Sequence, residues 1–140
     1  MEHSTDYKDR QINSLRASIV HWERLYSLVK EEPDYKILTK EGWHSSSCNC
    51  CSHYLGAFFS TNPHAYSNKC KGCPIKEYTG EPTCISTPWH EACESLCSLK
   101  YSKTQGAEKE ATLWKRALHS TYKEVTFLKK VYEDLIRNDN

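Results

Sequence analysis

The amino-acid sequence predicts a mainly α protein: an antiparallel hairpin of an N-terminal and a C-terminal helix, closed by a small irregular module rich in cysteine. Three observations predict it. Two stretches near the chain ends repeat apolar residues at helical spacing. The region between them collects the turn formers, and it also holds the thiols. All 5 glycines, 8 cysteines and all but one of the 5 prolines lie between residues 37 and 106.

Residues 1–10 are charged and carry no apolar stripe, so they are read as a frayed N-terminus. The first helix is placed at 11–32. Ile12, Leu15, Ile19, Trp22, Tyr26 and Val29 recur at steps of 3, 4, 3, 4 and 3, a seam that Leu25 and Leu28 widen. Pro33 follows and lacks the N–H that another turn would use, so the helix stops there.

The second helix is placed at 107–137. Trp114, Leu118, Thr121, Val125, Leu128, Tyr132 and Leu135 recur at steps of 4, 3, 4, 3, 4 and 3, flanked by Leu113, Ala117, Phe127 and Val131. At 1.5 Å per residue it would be about 45 Å long. Neither helix can bury so wide a face alone, and packing them on each other resolves both. The C-terminal seam outlasts the N-terminal one. A partner helix or a second copy of the chain, giving a homodimer, can cover the overhang.

The module at 37–106 has little apolar content beyond its thiols, and a stretch of this kind needs a crosslink to fold. One helix start is legible inside it. Thr87 is an N-cap residue, Pro88 suits the first helical position, and Glu91 lies in the first turn. Ala92, Leu96 and Leu99 then share a face. Gly106 leaves open whether 88–137 forms one helix or two, since glycine inside a helix costs about 1 kcal/mol. All of these pieces are expected to form one compact domain.

The thiol spacing points to metal. Cys48 and Cys51 form one C-x2-C unit, Cys70 and Cys73 another, and 18 residues separate them. That separation lies within the range that reads as zinc. Two thiolates on a tight knuckle reach one ion at about 2.3 Å, and a second knuckle completes the tetrahedron. The module therefore reads as a zinc knuckle, with Gly72 easing the second turn and Pro74 stiffening its exit.

The remaining thiols exceed one site. Cys84, Cys93 and Cys97 with His90 form a candidate second zinc site, the pair at 93 and 97 being presented from one helical face. The alternative is that Cys93 and Cys97 pack as small apolar residues beside Leu96. Cys50 reads as a packing residue. His44 precedes Cys48 and is a candidate replacement ligand, whereas His53 and His64 read as solvent-facing. The spacing departs from the ferredoxin run of an iron–sulfur cluster.

Composition narrows the function classes. Lys and Arg number 19 against 18 Asp and Glu, so strong non-specific attraction to nucleic acid is not expected. A local patch, Lys69, Lys71 and Lys76 beside Tyr66 and Tyr78, is a candidate for phosphate contact and base stacking. No apolar run approaches the roughly 18 residues of a membrane span, and the N-terminus lacks a secretory pattern. The sequence thus predicts a cytoplasmic protein without membrane contact, where thiols stay reduced. No zinc-deaminase, H-E-x-x-H, Walker A or G-x-S-x-G pattern occurs, and no enzyme activity is expected.

Cys48-x2-Cys51, Cys70-Lys-Gly-Cys73-Pro74-Ile75, Thr79-Gly80, Cys84 and Thr87-Pro88-Trp89 occur in that order. The series resembles a family of small cysteine-rich proteins of tailed bacteriophages. Their pattern runs C-x2-C, C-x-x-C-P-[VIL], T-G, C and T-P-[YW], then a long helix with an E-x-x-F-L patch. Glu124-Val-Thr-Phe127-Leu128 stands at that patch here. The likeness covers roughly residues 48 to 131 and excludes Cys50, Cys93 and Cys97.

The resemblance implies a phage accessory protein acting in bacterial cytoplasm. It also implies a zinc held by four of Cys48, Cys51, Cys70, Cys73 and Cys84, and it carries no activity. The function expected is binding and inhibiting a host bacterial protein, for example one of a defence system as an anti-CRISPR does. A zinc-dependent nucleic-acid-binding or transcription-modulating protein and a self-associating structural protein are the alternatives.

Overall fold

In the structure, a computed structural model, residues 2–43, 74–80 and 87–137 are described, and every regular element among them is helical. In chain order these are α1 (Glu2–Lys30), α2 (Tyr35–Glu41), α3 (Pro74–Thr79), α4 (Pro88–Ser98), a 3-10 segment (Leu99–Thr104) and α5 (Ala107–Arg137). The C-terminal helix has the bounds its periodicity predicts. The N-terminal one does not: α1 begins at Glu2, so residues 2–10 belong to the helix rather than to a frayed end.

α1 ends before Pro33 through two tightened hydrogen bonds, Glu31 N–H to the Leu28 carbonyl and Glu32 N–H to the Val29 carbonyl, both 3.0 Å. Glu32 then turns left-handed at φ 47°, and the chain reverses into α2. The sequence reading did not anticipate α2. Its N-cap is Asp34, whose carboxylate accepts from Lys36 N–H at 3.0 Å.

α1 and α5 pair along their length in opposite sense. Arg16 donates to the Tyr132 hydroxyl at 2.8 Å, Glu23 meets Lys129 at 3.1 Å, and Tyr26 lies against Tyr122 with ring centres 5.8 Å apart. The contact line differs from the purely apolar one. Gln11, Leu15, Ser18, Trp22, Leu25 and Val29 are buried, whereas Ile12, Ile19 and Tyr26 are only half-buried and flank them. The apolar pattern misplaces the seam because it passes over Gln11 and Ser18. Both are buried although polar, Gln11 at 2% and Ser18 at 0% exposure.

α5 does more than pair with α1. The 3-10 segment and α4 also pack along it, so the two long helices are part of a larger packing. Accordingly α5 buries a broad band: Trp114, Ala117, Ser120, Thr121, Glu124, Val125, Leu128 and Val131. Ser120 on α5 and Ser95 on α4 join hydroxyl to hydroxyl at the crossing. Each also lies within reach of a carbonyl of its own helix, Ala92 at 2.9 Å and Ala117 at 3.2 Å.

The helix start at residue 88 forms as its cap predicts. Thr87 Oγ1 accepts from Trp89 N–H at 3.3 Å, Pro88 opens the helix, and Glu91 sits in its first turn. Gly106 resolves the continuity of 88–137. Its φ of 92° suits glycine, and its carbonyl accepts from Glu110 N–H at 2.9 Å to open α5, so α4 and α5 are separate helices. The described part of the module at 37–106 is thus largely helical; its remaining residues lie outside the described ones.

The buried row predicts unequal costs. Leu25→Ala removes a fully buried side chain and should lower unfolding free energy by about 2–5 kcal/mol. Ile12→Ala, on the half-buried flank, should cost about 1 kcal/mol. Urea denaturation of the two variants checks the difference; equal losses would place the contact on the other row.

Candidate functional site

Two of the eight cysteines, Cys93 and Cys97, lie among the described residues, and neither is in a disulfide. They stand on α4, Cys93 half-buried and Cys97 exposed, and both meet Trp43. The Cys93 thiol donates to the Trp43 carbonyl at 3.0 Å, and the Trp43 indole N–H donates to the Cys97 sulfur at 3.3 Å. Trp43 is 2% exposed, and its ring meets Tyr35 edge to face with centres 5.8 Å apart. Both thiols therefore have a specific polar partner, which simple apolar packing beside Leu96 would not require.

α1 and α2 together hold Trp43 in place. The His21 ring lies 2.8 Å from the Gly42 carbonyl, and its other nitrogen is 3.7 Å from Glu41. Arg24 reaches the same Glu41 carboxylate at 3.3 Å. Gly42 N–H caps α2 on the Leu38 carbonyl at 3.1 Å, and its φ of 78° turns the chain toward α4. Trp43 escaped the sequence reading. Its one signal is a large aromatic standing alone in the polar run Glu41-Gly-Trp-His-Ser.

The other predicted site residues divide plainly. His90 is exposed on α4 and faces Glu94 at 3.1 Å, while Arg116 reaches Glu94 from α5 at 3.7 Å. Among the described residues no three His, Cys, Asp or Glu side chains gather into a group that could hold an ion, so His90 does not join Cys93 and Cys97 in one. Cys48, Cys51, Cys70, Cys73, Cys84, His44, Lys69 and Lys71 lie outside the described residues, and so does the side chain of Lys76.

What the structure does place are the ends of the cysteine-bearing segments. Segment 44–73 leaves from Trp43 and re-enters at Pro74 and Ile75, both buried, Ile75 being 4% exposed. Segment 81–86 delivers the chain to Thr87, the buried cap of α4. α3 is fixed on α5 by Tyr78, whose ring meets Phe127 with centres 6.2 Å apart. The Tyr78 phenol also bonds Asp134, which holds its proton more tightly than usual. The Glu124–Leu128 patch thus lies at this junction, with Glu124 and Leu128 buried and Phe127 receiving Tyr78.

Compared with known proteins, the chain matches no family model, no curated protein and no solved structure.

Tyr35 carries a measurable consequence of this packing. Burial chiefly, and then the negative charge of Cys97 and of Tyr101, raise its pKa above 10.0. The folded state therefore disfavours the phenolate that the unfolded chain forms freely. Stability from this residue is complete below the unfolded value and is lost as pH rises through the folded one. Tyr35→Phe should unfold at higher pH than the parent protein in an alkaline titration followed by far-ultraviolet circular dichroism. An unchanged midpoint would mean Tyr35 ionises as freely folded as unfolded.

Proposed function

We propose that this chain is a zinc-stapled helical binding protein that acts through a protein partner. The observation that carries the staple is the anchoring of the cysteine segments. Trp43, Pro74 with Ile75, and Thr87 are buried points from which the chain enters or leaves segments 44–73 and 81–86. Those segments hold Cys48, Cys51, Cys70, Cys73 and Cys84, and four of them serve as the zinc ligands in this reading. Fixed ends reduce the entropy lost when thiolates converge on one ion, and metal binding then adds directly to folding free energy.

The partner is a protein, and the phage-family resemblance directs the search to host bacterial proteins, defence systems of the anti-CRISPR-targeted kind included. α1 presents a shallow groove of about 530 Å³ on its outward face. Val20, 63% exposed, stands there between Arg16 and Arg24. Glu41 lines the same groove and is paired with Arg24, so an exposed apolar centre stands in a polar rim of both charges, a pattern that suits a protein surface. No described helix is long and apolar enough to cross a membrane.

Two measurements test the two halves. Protein purified without added metal should contain at least one zinc per chain, and chelation should lower its thermal midpoint. Elemental analysis finding less than half an equivalent overturns the staple. Tagged protein expressed in a bacterial host should retain a specific protein partner, and Val20→Asp should release it. Retention of nucleic acid instead, salt-dependent and lost on neutralising Lys69, Lys71 and Lys76, overturns the protein-partner reading. Self-association alone in light scattering does the same.

A further inference from the structure

We propose that Cys93 and Cys97 form a two-thiolate site for a soft monovalent cation of the Cu(I) class, separate from the zinc staple. The two sulfurs lie one helical turn apart on α4 and share contact with Trp43. The exposed Cys97 gives an ion direct access from solvent, and Cys93 supplies the inner ligand.

Helix geometry separates this site from a redox pair. Cβ atoms four residues apart on a helix stand about 5–6 Å from each other. A disulfide needs them at about 3.5–4.5 Å. α4 is helical from Pro88 to Ser98, so disulfide formation would have to distort the turn that carries the pair. An ion with two sulfurs at about 2.3 Å each holds those sulfurs up to roughly 4.6 Å apart. That span fits the separation of the Cβ atoms with no change of backbone.

Among the described residues the donors are two thiols, and that set selects the ion. Thiolates prefer soft cations such as Cu(I), whereas zinc takes four ligands in a structural site. The nearest imidazole in sequence, His90, is engaged with Glu94 at 3.1 Å rather than with the thiols. On binding, each thiol gives its proton to solvent and each sulfur gives an electron pair to the cation, so two protons leave for one ion bound. Cys93 exchanges its hydrogen bond to the Trp43 carbonyl for the metal bond. The Trp43 indole N–H remains on the Cys97 sulfur, where a donor stabilises a thiolate ligand and fixes its direction.

The test uses the full chain loaded with zinc, titrated anaerobically with Cu(I) against the competing chelator bicinchoninate. The parent protein should take up one more Cu(I) than Cys93→Ser or Cys97→Ser, with zinc content equal in all three. Tryptophan fluorescence should fall as that ion binds. Trp43→Phe should remove most of the fall while keeping the uptake. Equal Cu(I) uptake by the parent and the serine variants overturns the site. Loss of zinc from either serine variant also overturns it, because the thiols would then belong to the zinc staple. Cys97 is exposed, so Cys97→Ser carries the test even if Cys93→Ser fails to fold. Absence of zinc from the parent protein, with the extra Cu(I) still taken up, would sink the staple and leave this site standing.

Discussion

α5 must bury a face too wide for one helix to cover, and the packing of the described residues follows from that. Its inward positions run from Trp114 to Val131 and include two adjacent pairs, Ser120 with Thr121 and Glu124 with Val125. Adjacent residues on a helix point about 100° apart, so burying both requires neighbours on two sides. α1 covers one side and α4 with the 3-10 segment covers the other. At the crossing of α4 and α5 two small hydroxyl residues meet, and the Ser95–Ser120 bond satisfies groups that water cannot reach.

That arrangement turns α4 into a platform. Its inner face, Ala92, Ser95 and Leu96, is committed to the core, which leaves Cys93 and Cys97 on the face toward Trp43. Trp43 is held in turn by His21 and Glu41 through Gly42. A chain of polar contacts therefore runs from the long α1 helix to the thiol pair, and its members sit on three separate elements. Segment 44–73 leaves from Trp43, beside this platform, and segment 81–86 leads into Thr87 at its start.

The helices themselves were largely legible in the chain. Periodicity located α5 to the residue, and Thr87, Pro88 and Glu91 announced α4, because capping and propensity act over a few neighbouring residues. Pro33 stopped α1 for an equally local reason. The start of α1 was missed because residues 2–10 lack an apolar stripe, and a helix can form there with nothing to bury. The seam slipped by one row because Gln11 and Ser18, polar and buried, are invisible to a hydrophobic pattern. The candidate zinc ligands Cys48, Cys51, Cys70, Cys73 and Cys84 were read from spacing alone, and the structure describes the ends of their segments rather than the thiols.

By itself, then, the sequence determined the helical class, the start of α4, the bounds of α5 and the stop before Pro33, since each depends on residues within a turn or two. Only the tertiary structure decided that α5 serves two neighbours, that Gln11 and Ser18 are buried, and that Trp43 meets Cys93 and Cys97. Those outcomes join residues well separated in the chain, Ser95 and Ser120 by 25 positions, Trp43 and Cys97 by 54, and Arg16 and Tyr132 by 116. No local pattern encodes such a meeting. It follows from which faces remain to be covered once the long helices have packed.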